Sequence, residues 1–381
     1  MSIRAVSILI SMATAAVSFD VGAEAAATSR AEFGRLPDGR TVEAVTLRGS
    51  HGISATVLNY GAALQSLVTP DREGKLADIT LGYASLEGYL EKSEYFGATV
   101  GRFANRIAHG RFTLDGQKYQ TPLNNNGHAL HGGDRGFDKV LWEIAETGKG
   151  DVASVTMRYV SPHGDQGYPG TLTTFATYSL KGNELTIEYR ATADRPTIVN
   201  ITNHAYWNLA GDDAAVGAMD HVLTIPAEHY MPVDKGLIPL GELRPVAGTV
   251  FDFRKPMAIG ARVRDAREPQ LVAGRGYDHN FVIARDVARE LRLHARVAEP
   301  TSGRSFELWS NQPGVQFYSG NFLDATVTGK SQRVYRQGDA FVLEPQIFPD
   351  TPNRPEFGSA RLAPGETYRN VIVYRLFSGK K

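Results

Sequence analysis

Five short stretches place ionisable or hydrogen-bonding side chains beside turn-forming glycine or proline. They are Gly101-Arg102-Phe103-Ala104-Asn105-Arg106-Ile107, Asn126-Gly127-His128-Ala129-Leu130-His131-Gly132-Gly133, and the run from Thr202-Asn203-His204 through Ala205-Tyr206-Trp207-Asn208 to Gly211. The other two are Tyr277-Asp278-His279-Asn280-Phe281 and Leu343-Glu344-Pro345-Gln346, which continues to Asp350. Together they offer imidazoles, carboxylates, guanidinium groups and amides. An imidazole titrates near neutral pH and a carboxylate can accept a proton, so such a set is able to do acid–base chemistry. Taken singly, each stretch is a weak signal, since a lone His or Asn near a Gly is more often a capped turn than a catalytic site. The chain has no cysteine, which excludes disulfides, cysteine-ligated metals and thiol catalysis.

Motifs for bound cofactors break down on inspection. Gly274-Arg275-Gly276 could open a dinucleotide fingerprint, but His279 stands where its third glycine belongs. Gly329-Lys330-Ser331 resembles the end of a phosphate loop, but Asp324 replaces its first glycine. His128 and His131 have a spacing seen in metal sites, yet no cysteine partners them, and no metal or cofactor is expected.

The elements that must position these residues read as strands. Thr41 to Leu47, Ile53 to Leu58 and Leu64 to Thr69 are strand-like. Asp115-Gly116 joins two short strand segments, and both residues tolerate the positive φ of a tight hairpin. Thr171 to Leu180 and Glu184 to Ala191 form a second hairpin. In the latter, Leu185, Ile187, Tyr189 and Ala191 alternate with Thr186, Glu188 and Arg190, the period of a half-buried strand. Helical periodicity is weak, with Val287 to Leu293 the best short candidate. Many short strands with Gly and Pro turns predict an all-β sandwich or barrel.

Composition fits an ordinary globular protein, at 42% hydrophobic and 22% charged residues, which excludes wholesale disorder and a polytopic membrane protein. Forty-one basic residues balance 41 acidic ones, so the basic excess of a general nucleic-acid binder is missing. Residues 1–27 read as a secretory signal. Arg4 precedes a charge-free run from Ala5 to Val17, too short to span a membrane, and Ala23-Glu24-Ala25 and Ala25-Ala26-Ala27 both fit a small-residue cleavage site. Its removal leaves no membrane segment and predicts a periplasmic or secreted protein. No linker divides residues 28–381, which are expected to form a single domain.

As an ordered set, the five polar stretches resemble the aldose 1-epimerase (galactose mutarotase) family. Asp165-Gln166-Gly167-Tyr168-Pro169-Gly170 and Gln312-Pro313-Gly314-Val315-Gln316-Phe317-Tyr318 add to the likeness, which runs from about Phe33 to the C-terminus. The resemblance implies a large antiparallel β-sandwich with an open sugar cleft. It implies an isomerase that interconverts the α and β anomers of a free aldose such as glucose or galactose, as a monomer or homodimer and without a cofactor. It assigns Glu344 as general base and His204 as general acid. His131 either shares in proton donation or positions the sugar. Asn105, Arg106, Asp278 and Gln316 are its hydroxyl-binding residues. Tyr206 touches the sugar or belongs to the core, Trp207 packs, and Arg102 braces its loop. Two other readings use the same residues. A non-catalytic carbohydrate-binding protein of this fold would need the hydroxyl binders but not Glu344 with His204. A glycoside hydrolase would pair Asp278 with Glu344.

Overall fold

The computed structural model describes residues 26–92 and 94–379, and strands dominate it. Among these residues three antiparallel sheets carry the architecture. The largest has nine strands, with the hairpin Leu172–Lys181/Glu184–Ala193 beside Tyr368–Ser378 near its centre. A five-stranded meander runs from Ala27–Arg35 to Leu76–Asp78. A six-stranded sheet has Phe341–Gln346, Gly314–Tyr318 and Asp278–Val282 as neighbours. This is the antiparallel β-sandwich that the family resemblance implied, and one of the two architectures that the strand pattern allowed.

Alternation decides which side chains meet in the core. Leu185, Ile187, Tyr189 and Ala191 all point inward and are buried, as their period-2 spacing requires. They join Val155, Met157 and Tyr178 of neighbouring strands, and Val45, Leu47, Val57, Leu64 and Leu67 of the meander, in one apolar cluster. Phe281, Val315, Phe317 and Leu343 bring one face of the six-stranded sheet into the same cluster. Burying such a side chain contributes roughly 1.5–3 kcal/mol. The opposite face of that sheet carries the residues in between, where Asp278, Asn280, Gln316 and Glu344 lie beside the apolar Val342.

Local details follow the sequence with one exception. Asp115 and Gly116 both take positive φ, 49° and 80°, in a two-residue turn between Arg111–Leu114 and Gln117–Gln120. Val287 to Leu293, the best helix candidate, is irregular up to Leu291 and enters the strand Arg292–Ala298. Leu293 pairs there with Trp309 on Arg304–Ser310, and sheet pairing outweighs the weak helical spacing. The two α-helices among the described residues, Leu86–Glu91 and Pro269–Gly274, lie elsewhere. Among the described residues no helix is long and apolar enough to cross a membrane. Most of the predicted export segment, residues 1–25, lies outside the described residues. Its last residue, Ala27, opens the first strand opposite Arg48.

Candidate active site

The polar face of the six-stranded sheet forms the floor of a cleft. Cross-strand register builds it: Gln316 stands opposite both Glu344 and Asn280, and Tyr318 stands opposite Asp278. Residues directly opposite share a face, so Asp278, Gln316, Tyr318 and Glu344 gather from three stretches of sequence on one surface. The turn around His204 closes one wall. Asn203 fixes it, donating from Nδ2 to the Gly97 carbonyl (2.7 Å) and to the Tyr178 hydroxyl (3.1 Å), and accepting at Oδ1 from the Ala205 amide (3.1 Å).

The resulting cleft has a volume of about 390 Å³. Seven of the eight residues singled out from sequence line it: Asn105, Arg106, His131, His204, Tyr206, Asp278 and Glu344. Gln316 sits just behind the wall and donates from Nε2 to Asp278 Oδ1 at 2.7 Å. Tyr206 lines the cleft and packs at the same time, its ring 5.2 Å from His204 and 4.8 Å from Phe96. Trp207 is wholly in the core. Arg102 is buried and donates to the Pro169, Gly170 and Ser161 carbonyls, which ties its loop to the next. A larger cavity of about 520 Å³ opens elsewhere, around Thr69, Arg304 and Leu376, but its lining holds no carboxylate facing an imidazole.

His204 Nε2 lies 3.8 Å from Glu344 Oε1, and both side chains are buried. Burial pulls His204 down to about 4 and pushes Glu344 well above the usual carboxylate range. The nearby Asp278 raises Glu344 further, and Arg106 opposes that rise. Asp278 is itself raised by burial, offset by Arg106 at 3.8 Å and by Gln316. The Asn105 side-chain oxygen accepts from the Arg106 amide at 2.9 Å, which leaves the Asn105 NH₂ free for the cleft. Arg106 Nε is steadied by Asn125 Oδ1 at 3.3 Å.

His131 has a fixed tautomer. Its Nδ1 accepts the Asn105 amide at 3.2 Å, so in the neutral ring Nε2 carries the proton. Burial holds His131 well below its ordinary value, with His204 and Arg106 adding to the effect, so the ring stays neutral. His131, His204 and Glu344 present ligand atoms within 4.8 Å of one another. This donor set does not fit a metal ion, because a protonated Nε2 on His131 has no lone pair to give.

Sequence reasoning missed several residues of the wall, including Tyr95, Asn125, Leu237, Arg275 and Tyr318. Tyr318 was within reach, since it follows Gln316 by two along one strand. Nothing local marks Tyr95 or Leu237. Six residues of the wall, Tyr95, Asn105, Asn126, His131, Leu237 and Arg275, adopt left-handed φ between 48° and 63°. Such strain costs of order 1–3 kcal/mol each and concentrates at functional sites.

The fold and cleft define a β-sandwich protein whose pocket gathers two imidazoles, carboxylates and guanidinium groups. Residues 43–375 match the family model for aldose 1-epimerase. The chain is 46% identical over 348 residues to galactose mutarotase from Rattus norvegicus, covering 91% of this chain and 98% of that protein. It is 37% identical over 346 residues to aldose 1-epimerase from Escherichia coli, covering 90% and 97%. The crystal structure of galactose 1-epimerase from Lactobacillus acidophilus superposes with a TM-score of 0.81 at 28% identity, covering 93% of this chain and 99% of that one. An aldose epimerase homologue from C. elegans gives 0.78 at 31%, covering 92% and 99%. The chain belongs to the aldose 1-epimerase family.

Proposed function

We propose that Glu344 is the general base and His204 the general acid of this aldose 1-epimerase. The protein is an isomerase that interconverts the α and β anomers of a free aldose. Glu344 takes the proton of the C1 hydroxyl while His204 protonates the ring oxygen, and the C1–O5 bond breaks. The aldehyde turns about C1–C2, the ring closes on its other face, and both protons return. The observation that carries this reading is the buried His204–Glu344 contact of 3.8 Å. A non-catalytic sugar binder would gain nothing from holding these two groups out of water.

Across the pair one proton is shared. Burial favours the uncharged form, with the proton on Glu344. Hydrogen bonds from sugar hydroxyls to the carboxylate, and the charge of Arg106, favour the ion pair that starts the reaction. Asn105, Arg106 and Asp278 bind hydroxyls, with Gln316 holding Asp278 in register. His131 donates its Nε2 proton to the sugar as a hydrogen bond. Polarimetry with fresh α-galactose and α-glucose tests the activity. A purified, folded protein that leaves the spontaneous rate unchanged would end the proposal.

Residues 1–27 are read as an export signal, with residues 28–381 as one mature domain. Of the two small-residue sites, cleavage after Ala25 keeps Ala26 and Ala27, which bridge Gly150 and pair with Arg48. N-terminal sequencing of protein from its native host decides this, and an intact Met1 on cytoplasmic protein would refute it.

A further inference from the structure

We propose that Tyr95 is a positioning residue that sets the two catalytic imidazoles against each other and keeps water from them. Its ring touches both, with centroids 4.8 Å from His131 and 5.6 Å from His204. The two imidazoles in turn meet edge to face at 5.2 Å. No other phenol in the cleft reaches both: Tyr206 and Tyr318 contact His204 alone, at 5.2 and 6.4 Å.

The backbone places Tyr95 with deliberate tightness. Ala98 pairs with His204, and the Gly97 amide donates to the His204 carbonyl at 3.0 Å. Gly97 has φ 65°, and a Cβ there would lie 1.9 Å from the Leu64 carbonyl oxygen, so only glycine fits. The Ala98 amide then closes a turn on the Tyr95 carbonyl at 3.0 Å. This turn holds Tyr95 at φ 58°, left-handed backbone that is costly for an aromatic residue. Among the described residues the side chain makes no hydrogen bond that would account for the strain, and its ring contacts are with the two catalytic imidazoles.

The inference rests on the acid–base reading of His204 and Glu344. His204 faces Glu344 at 3.8 Å, His131, and the phenols of Tyr95, Tyr206 and Tyr318. The charged groups whose fields reach Tyr95 are Asp138, Arg106, Glu94 and Asp134. Without the ring, water reaches His204, whose proton affinity rises towards that of an ordinary imidazole.

The test compares Tyr95→Ala and Tyr95→Phe in the full chain by polarimetry across pH, with thermal melts. Tyr95→Ala is expected to lose about 10²-fold in kcat with little change in KM, as small misplacements of catalytic groups do. Its acid limb of kcat/KM is expected to move to higher pH. Tyr95→Phe restores the ring and is expected to recover most of the lost kcat and the parental limb. If the Ala variant does not fold, Tyr95→Leu keeps the bulk without the flat face and faces the same criteria. Parental kcat and limb in Tyr95→Ala, or an equal loss in Tyr95→Phe, would overturn the inference. His204→Asn in the same assay separates the two readings: if it stays active, the acid assignment fails rather than the role of Tyr95.

Discussion

His204 Nε2 and Glu344 Oε1 stand 3.8 Å apart although 140 residues separate them, because the turn at Asn203 and the strand Phe341–Gln346 converge on one cleft. Neither charge is solvated, so the pair behaves as one unit that holds or shares a proton. That relationship governs most of what can be measured on this protein.

Removing the proposed base, Glu344, tests it first. Glu344→Gln keeps the shape and cannot take the proton, so kcat is expected to fall by about 10²–10⁴-fold. The same change should stabilise the fold at alkaline pH. Glu344 is raised in the folded state, so its favourable contribution is complete below the unfolded carboxylate value and is lost as pH rises through the folded one. Thermal melts at about pH 8 should show Glu344→Gln above the parent, with the gap closing near pH 4. A variant that keeps parental kcat would move the base elsewhere, with Asp278 next in line.

The pH–rate profile should be a broad bell. The pair is competent while it holds one proton, so kcat/KM falls in acid as a second proton binds, near the His204 value of about 4. It falls in alkali as the last proton leaves, at the raised value of Glu344. A profile centred on an ordinary exposed histidine, with its acid limb near 6.5, would contradict the burial argument.

Arg106→Ala should damage binding and stability together. The guanidinium lies 3.8 Å from Asp278, and both side chains are nine-tenths buried. Its loss leaves a buried carboxylate with only Gln316, at a cost of about 3 kcal/mol. KM should rise while kcat falls, since the contact serves ground and transition states alike. Steady-state kinetics at several sugar concentrations would show it. An unchanged KM would remove Arg106 from the binding set.

Acid should unfold the protein through its histidines. Burial lowers His221 to about 4, and His279 and His294 to about 3. For a lowered group the stabilisation is present above the unfolded value and is lost as pH falls through the folded one. The melting temperature should therefore drop between about pH 6.5 and 3. Calorimetry across that window checks it, and a flat midpoint would mean that these rings titrate freely.

Chelation should leave activity intact. The proton on His131 Nε2 follows from a backbone hydrogen bond, so His131 has no lone pair to add to those of His204 and Glu344 for an ion. Dialysis against EDTA followed by polarimetry is decisive, since a loss that zinc restores would show the tautomer argument to be wrong.

The sequence by itself determined the strand class, the inward face of strands such as Glu184–Ala193, the hairpin at Asp115-Gly116, and seven residues of the cleft wall. These were legible because alternation and turn chemistry are local, and because the polar stretches resemble a family in order and content. Only the tertiary structure decided which groups meet. Register across three antiparallel strands puts Gln316 opposite Glu344 and turns its amide onto Asp278, a relation that no spacing in the chain encodes. Packing likewise brings Tyr95 between His131 and His204, and it draws Val287 to Leu293 away from its weak helical period into a loop and a strand edge. The proton affinities of His204 and Glu344 belong to the same level, since burial sets them, and burial is a property of the whole fold.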